Sequence, residues 1–229
     1  MPRHHAADVA AEVNSNGCAS PALTALLAAF FVVLLPGPGN AQDPENPPQR
    51  TASRASSAGR FLAGAATAFL AHEAGHLTVD LLFDADPRLK RVDFHGIPFF
   101  AITHRGDVSN RQRFVIASAG FWMQHAGNEV ILFRRPKLRH ERAPFRKGML
   151  AFNVLASAAY AGAAFARTGP PERDTRGMAE GSRVDERWIG AMVLAPAVLD
   201  SIRYIDPEAK WALWTSRAAK VGLVLLVLR

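Results

Sequence analysis

The chain has 229 residues, 49% of them hydrophobic, and its 27 Lys and Arg outnumber 20 Asp and Glu for a net charge of +7. One cysteine, Cys18, excludes an internal disulfide and a cysteine-based metal cluster. The basic residues lie in blocks between apolar runs, the pattern of charge flanking membrane segments rather than of a nucleic-acid surface.

In chain order, residues 1–41 open with a polar stretch. An apolar run from Ala22 to Leu35 follows, then Pro36, Pro38 and the small-residue sequence Gly39-Asn40-Ala41. Two expectations stay open for this segment: a signal peptide cleaved after Ala41, or a short retained anchor. Residues 42–60 are rich in Pro, Ser, Ala, Gln and Arg and cannot bury a core, which predicts a disordered linker. From Phe61 to the end the composition predicts one membrane-embedded domain. The segments 61–83, 114–133, 148–166, 188–205 and 211–228 are each apolar over a length that can span a bilayer as a helix. The expected fold class is therefore all-α, a polytopic membrane bundle of about five spans. A small β-hairpin is expected near 91–104, where β-branched and aromatic residues flank Gly96 and Pro98.

Loop charges predict topology. The loop 134–147 holds Arg134, Arg135, Lys137, Arg139, Arg142, Arg146 and Lys147 against Glu141 and is expected on the cytoplasmic side. The loop 168–187 balances basic with acidic residues and is expected outside. Tracing back from there puts residue 60 inside, whereas a cleaved signal peptide would put it outside. Either Ala22–Leu35 is a retained anchor or one apolar segment does not span.

The chemistry centres on Phe69-Leu70-Ala71-His72-Glu73-Ala74-Gly75-His76-Leu77, an H-E-x-x-H sequence on an expected helix. Residues four apart share a helical face, so both imidazoles can reach one metal ion. Zinc accepts two imidazole nitrogens, keeps room for a third ligand and water, and lowers the pKa of that water to about 7. Glu73 stands beside His72 as the general base. Two histidines and a glutamate on a membrane helix are costly without such a partner. The competing reading is a buried polar cluster paired internally.

Asp80, four residues after His76, reads as a polar residue at the helix end. Asp200 is the expected third ligand, a lone carboxylate deep in an apolar segment four residues after Pro196, where a broken helix would free backbone groups to line a site. A salt bridge to Arg203 is its alternative role. Gln124, His125, Asn128 and Glu129 make the second half of 114–133 polar and are expected to face the bundle interior, lining a substrate path or joining helices. His95 and His104 read as ordinary loop histidines.

The order of these features resembles the site-2 protease family of intramembrane zinc metalloproteases. His72-Glu73-Ala74-Gly75-His76 is similar to the family's first motif. Pro196-Ala197-Val198-Leu199-Asp200 is similar to its later motif, in which a Pro-containing stretch ends in Leu-Asp-Gly. Phe94-His95-Gly96-Ile97-Pro98-Phe99 resembles its Gly-x-Pro hairpin, and Ser118-Ala119-Gly120-Phe121 resembles the Ala-Gly-Pro opening its central helix. The chain departs from the pattern at Ser201, where glycine is usual, at Phe121, where proline is common, and at Gln124, where asparagine is frequent. The resemblance implies Zn²⁺ held by His72, His76 and Asp200, with Glu73 as base. It gives Gln124 or Asn128 the part of orienting the substrate carbonyl. The implied substrate is a peptide bond in or near a membrane segment of another protein, with no nucleic-acid partner. The implied location is the lipid bilayer of a bacterial inner membrane. Two other expectations stand beside it: a non-catalytic membrane protein with a structural or metal-handling site, and a soluble or peripheral zincin-like protein.

Overall fold

The computed structural model describes residues 54–94 and 97–228. The N-terminal apolar run Ala22–Leu35, its cleavage site, residues 42–53 of the linker and His95 lie outside the described residues, and the rest of the expected disordered linker, 54–60, is instead the first two turns of a helix that runs on into the apolar segment. The order is α1 (Arg54–Leu82), β1 (Arg88–Phe94), β2 (Ile97–Thr103), α2 (Asn110–Arg134), a 3-10 turn (Leu138–His140), α3 (Pro144–Ala166), α4 (Asp174–Ser182), α5 (Glu186–Ile205) and α6 (Lys210–Leu228). The long helices fall on the five apolar segments. The short α4 falls in the polar loop 168–187, where no helix was expected.

Local chemistry sets several boundaries. Ser109 caps α2 by accepting from the Gln112 amide, and the Gln112 side chain accepts from the Ser109 amide, a reciprocal capping box. Pro144 opens α3, where its missing N–H costs nothing. Arg167 ends α3 in a left-handed conformation. Helices α1 and α3 pack closely because Gly64 and Gly148 have no side chain. A Cβ at Gly64 would overlap the Phe145 carbonyl oxygen, and one at Gly148 would overlap that of Phe61.

The hairpin appears where it was expected. β1 and β2 pair antiparallel from Arg88 opposite Thr103 to Phe94 opposite Ile97. Its only sheet partner among the described residues is itself, so both outer edges of the ribbon lack a strand.

Two expectations are corrected. Of the five anticipated spans, only α3 and α5 are long and apolar enough to cross a membrane among the described residues. Polar residues interrupt α1 at His72, Glu73, His76 and Asp80, and α2 at Gln124, His125, Asn128 and Glu129. The helix around Pro196 is also unbroken. α5 runs continuously through Pro196, which is buried inside it.

The interior mixes polar with apolar side chains, and large apolar side chains also lie on the surface. His72, His76, Asp80, Gln124, His125, Asn128, Asn153, Ser157, Asp200 and Ser216 are buried. Phe61, Leu62, Phe69, Leu70, Leu77 and Leu81 on α1 are exposed, as are Trp188 and Val198 on α5 and Trp211, Trp214, Val221 and Leu225 on α6. A second interior core of Phe114, Val115, Phe121, Trp122, Met178, Ile189 and Val193 ties α2, α4 and α5 together.

Candidate metal centre

His72 and His76 project from one face of α1 into the interior, as their spacing requires. Their Nε2 atoms lie 3.1 Å apart. The His76 Nδ1 donates to the Ile116 carbonyl oxygen at 2.7 Å. A carbonyl can only accept, so Nδ1 carries a proton, and Nε2 is the nitrogen turned toward the other two groups. The histidine seat is cut into α2 by small residues. A Cβ at Gly75 would come within 2.8 Å of Met123 and 2.9 Å of the Ala119 carbonyl oxygen. At Gly120 a Cβ would run into the His72 ring itself. Gly75 therefore lets α1 approach α2, and Gly120 leaves the space that His72 fills. Tyr160 stacks against the His72 ring, with ring centroids 6.0 Å apart.

The third group is Asp174, the first residue of α4. Its Oδ2 lies 3.0 Å from His72 Nε2 and 3.3 Å from His76 Nε2. Together the three could hold a metal ion. Four ligands about 2.1 Å from a tetrahedral zinc stand roughly 3.4 Å from one another. The observed triangle, with edges of 3.0, 3.1 and 3.3 Å, is slightly tighter than that and of the same shape. Two neutral nitrogens and one carboxylate are also a donor set that zinc accepts. Burial alone would push the Asp174 carboxyl up. The positive charge that His76 and His72 carry when protonated, with their hydrogen bonds to Asp174, outweighs it and holds the carboxyl well below the usual carboxylate range, so Asp174 is an anion, and a metal ion would take the place of those protons.

Glu73 lines a cavity of about 270 Å³ together with His76, Tyr160 and Asp174. Val92, Ala101 and Ile102 of the hairpin form another wall. The motif glutamate, two of the three candidate ligands and an unpaired ribbon therefore meet at one opening.

The remaining expected site residues lie elsewhere. Asp200 is not part of the triangle. Its Oδ1 accepts from Ser216 at 2.7 Å, Lys220 at 2.8 Å and Arg203 at 3.0 Å. The alternative role, an ion pair with Arg203, is the one the structure displays. Gln124 and Asn128 are buried between α2 and α3. The Asn153 side chain donates to the Gln124 carbonyl oxygen at 3.2 Å and to Asn128 Oδ1 at 2.8 Å. Neither residue lines the cavity beside Glu73. Asp80 is fully buried, with His104 Nδ1 3.6 Å from its Oδ1, so His104 meets a buried carboxylate rather than only solvent.

Sequence reasoning missed Asp174 and Tyr160. Asp174 was counted only toward the charge balance of a loop. Its faint signal is an acidic residue opening a short run, Asp174-Thr175-Arg176-Gly177-Met178, whose buried members are Thr175 and Met178. No family model matches the chain, nor does any curated protein or solved structure.

Proposed function

We propose that this protein is a membrane-embedded zinc-dependent peptidase, a divergent relative of the site-2 protease family. The observation that carries the reading is the convergence of His72, His76 and Asp174 on one point, with Glu73 lining the same cavity. Zinc bound there would supply Lewis acidity to a water and to a peptide carbonyl. Glu73 accepts a proton from the attacking water and returns it to the departing amine. Tyr160 lines the cavity beside Asp174 and takes the part of orienting the substrate carbonyl that the resemblance gave to Gln124 or Asn128. The hairpin wall holds an unwound substrate segment by strand addition along its edge.

The bilayer setting rests on the large apolar side chains exposed along α1, α5 and α6 and on the apolar lengths of α3 and α5. The exposed Trp188, Trp211 and Trp214 suit a membrane–water interface. The protein is expected to stay with membranes through an alkaline carbonate wash. Release into the supernatant would replace this setting with a peripheral or soluble one.

The activity is tested by Glu73→Gln. The amide keeps the shape of the carboxylate and cannot take a proton. The variant is expected to bind one zinc per chain like the wild type, while hydrolysis of a fluorogenic membrane-segment peptide falls by at least about 100-fold. Hydrolysis that survives the substitution would overturn the mechanism. Gln124 and Asn128 lie away from the cavity, which favours a second reading: a metal site without proteolysis. Zinc bound by the wild type with no hydrolysis of any membrane-segment peptide would establish it.

A further inference from the structure

We propose that Glu186 is a positioning residue for the metal centre: it grips the two chain neighbours of Asp174 and so aims the Asp174 carboxylate at His72 and His76. This rests on the reading of those three residues as a metal site. The Glu186 carboxylate forms a fork with the Arg173 guanidinium, Arg173 Nε to Oε1 at 2.7 Å and Arg173 Nη2 to Oε2 at 2.6 Å. The Thr175 hydroxyl donates to the same Oε1 at 2.9 Å. Residues 173 and 175 are thus held by one side chain, and residue 174 between them faces the histidines. Thr175 is fully buried, and the Arg173 and Glu186 side chains are 9% and 11% exposed.

The need for such a grip follows from the weakness of α4 as a helix. It has nine residues, two of them the glycines Gly177 and Gly181, which is short for a helix to stand alone. Its N-cap, Arg173, makes no side-chain capping bond, so the usual side-chain fixing of a helix start is missing. Met178 anchors the middle of α4 in the apolar core. Asp174 stands one turn ahead of that anchor, in the first turn beside the buried Thr175. Glu186 sits at the start of the long helix α5, where the Asp185 side chain caps the chain by accepting from the Arg187 amide at 2.9 Å. A rigid element therefore dictates the position of a weak one. Arg173 also donates to the Pro170 carbonyl oxygen at 3.1 Å, which extends the grip into the segment leading to α4. Bidentate geometry fixes orientation as well as distance, which a single point charge would not do.

The test is zinc affinity of the detergent-purified full chain, measured by competition with a chromophoric chelator. Glu186→Ala is expected to weaken zinc binding by about 10- to 100-fold, the range for groups that orient a ligand without touching the metal. In an Asp174→Ala background the same substitution should cause no further loss, because its effect passes through Asp174. Affinity equal to wild type in Glu186→Ala overturns the proposal, and so does an equal loss in both backgrounds. If Glu186→Ala loses its helical circular dichroism, Thr175→Val decides. It removes one bond to Glu186 at nearly constant shape and should weaken zinc in the same direction, whereas wild-type affinity would overturn the proposal. A wild-type chain without zinc affinity instead overturns the metal centre on which the proposal rests.

Discussion

Asp174→Ala should lower zinc affinity by at least about 100-fold, because loss of a direct ligand exceeds the 10- to 100-fold cost of losing a group that only orients one. Asp200→Ala should leave zinc affinity at the wild-type value. The contrast follows from position. The Asp174 carboxylate sits 3.0 and 3.3 Å from the two imidazole nitrogens. Asp200 is bonded to Arg203, Ser216 and Lys220 and belongs to another polar cluster. His76→Ala should match Asp174→Ala, since it removes the Nε2 that the Nδ1 bond to the Ile116 carbonyl turns toward His72 and Asp174. Metal analysis of the four purified chains checks this directly. Zinc lost from Asp200→Ala and kept by Asp174→Ala would reverse the assignment.

Why the third group escaped the sequence is a matter of signal type. His72 and His76 are legible because a helix turns spacing into geometry: four residues apart means one face, whatever surrounds the helix. The hairpin is legible because β-branched residues around Gly96 and Pro98 state a local preference. The long helices are legible because apolar length is a local property. Asp174 has no such signature. It lies about a hundred residues from His72 in a nine-residue helix whose placement depends on Met178 in the core and on Glu186 at the start of the next helix. Only tertiary contact brings it to the site.

Asp200 misled for a related reason. A lone carboxylate in an apolar run requires a partner, and the inference from burial to partner is sound. Burial does not say which partner. Lys220 and Ser216 come from α6, and Glu129, which shares Arg203 with Asp200, comes from α2. Pro196 misled through its missing N–H, which leaves the Met192 carbonyl without its helical donor. A helix packed on its neighbours tolerates that loss without breaking. Gly75 and Gly120 show the opposite case. The sequence singles both out as motif letters, and the structure supplies the physical reason: one lets α1 approach α2, and the other leaves room for His72.

Asp200→Ala is expected to destabilise the fold by about 3 kcal/mol, at the lower end of the cost of breaking a buried ion pair from one side. Asp200 is fully buried, and Arg203 and Lys220 are 7% and 13% exposed at their side chains. Glu129 accepts from the same two cations, from Arg203 Nη1 at 2.6 Å and from Lys220 at 3.0 Å, and from Arg217 at 2.9 Å. The cluster holds two carboxylates against three cations, of which Arg217 is the most exposed at 32%. Removing Asp200 leaves Glu129 alone with two buried positive charges. Glu129 still pairs with both, and that keeps the penalty at the lower end. A second substitution, Lys220→Met, should recover part of the loss in the Asp200→Ala chain by removing one of the stranded charges, while in the wild type it should be destabilising. Thermal unfolding in detergent, followed by helical circular dichroism, measures both. If Lys220→Met has the same effect in both backgrounds, Asp200 and Lys220 do not act as a pair. Asp200→Ala is thus expected to lose stability and keep zinc, and Asp174→Ala to lose zinc, so the two variants separate the carboxylate that joins helices α5 and α6 from the one that completes the metal centre.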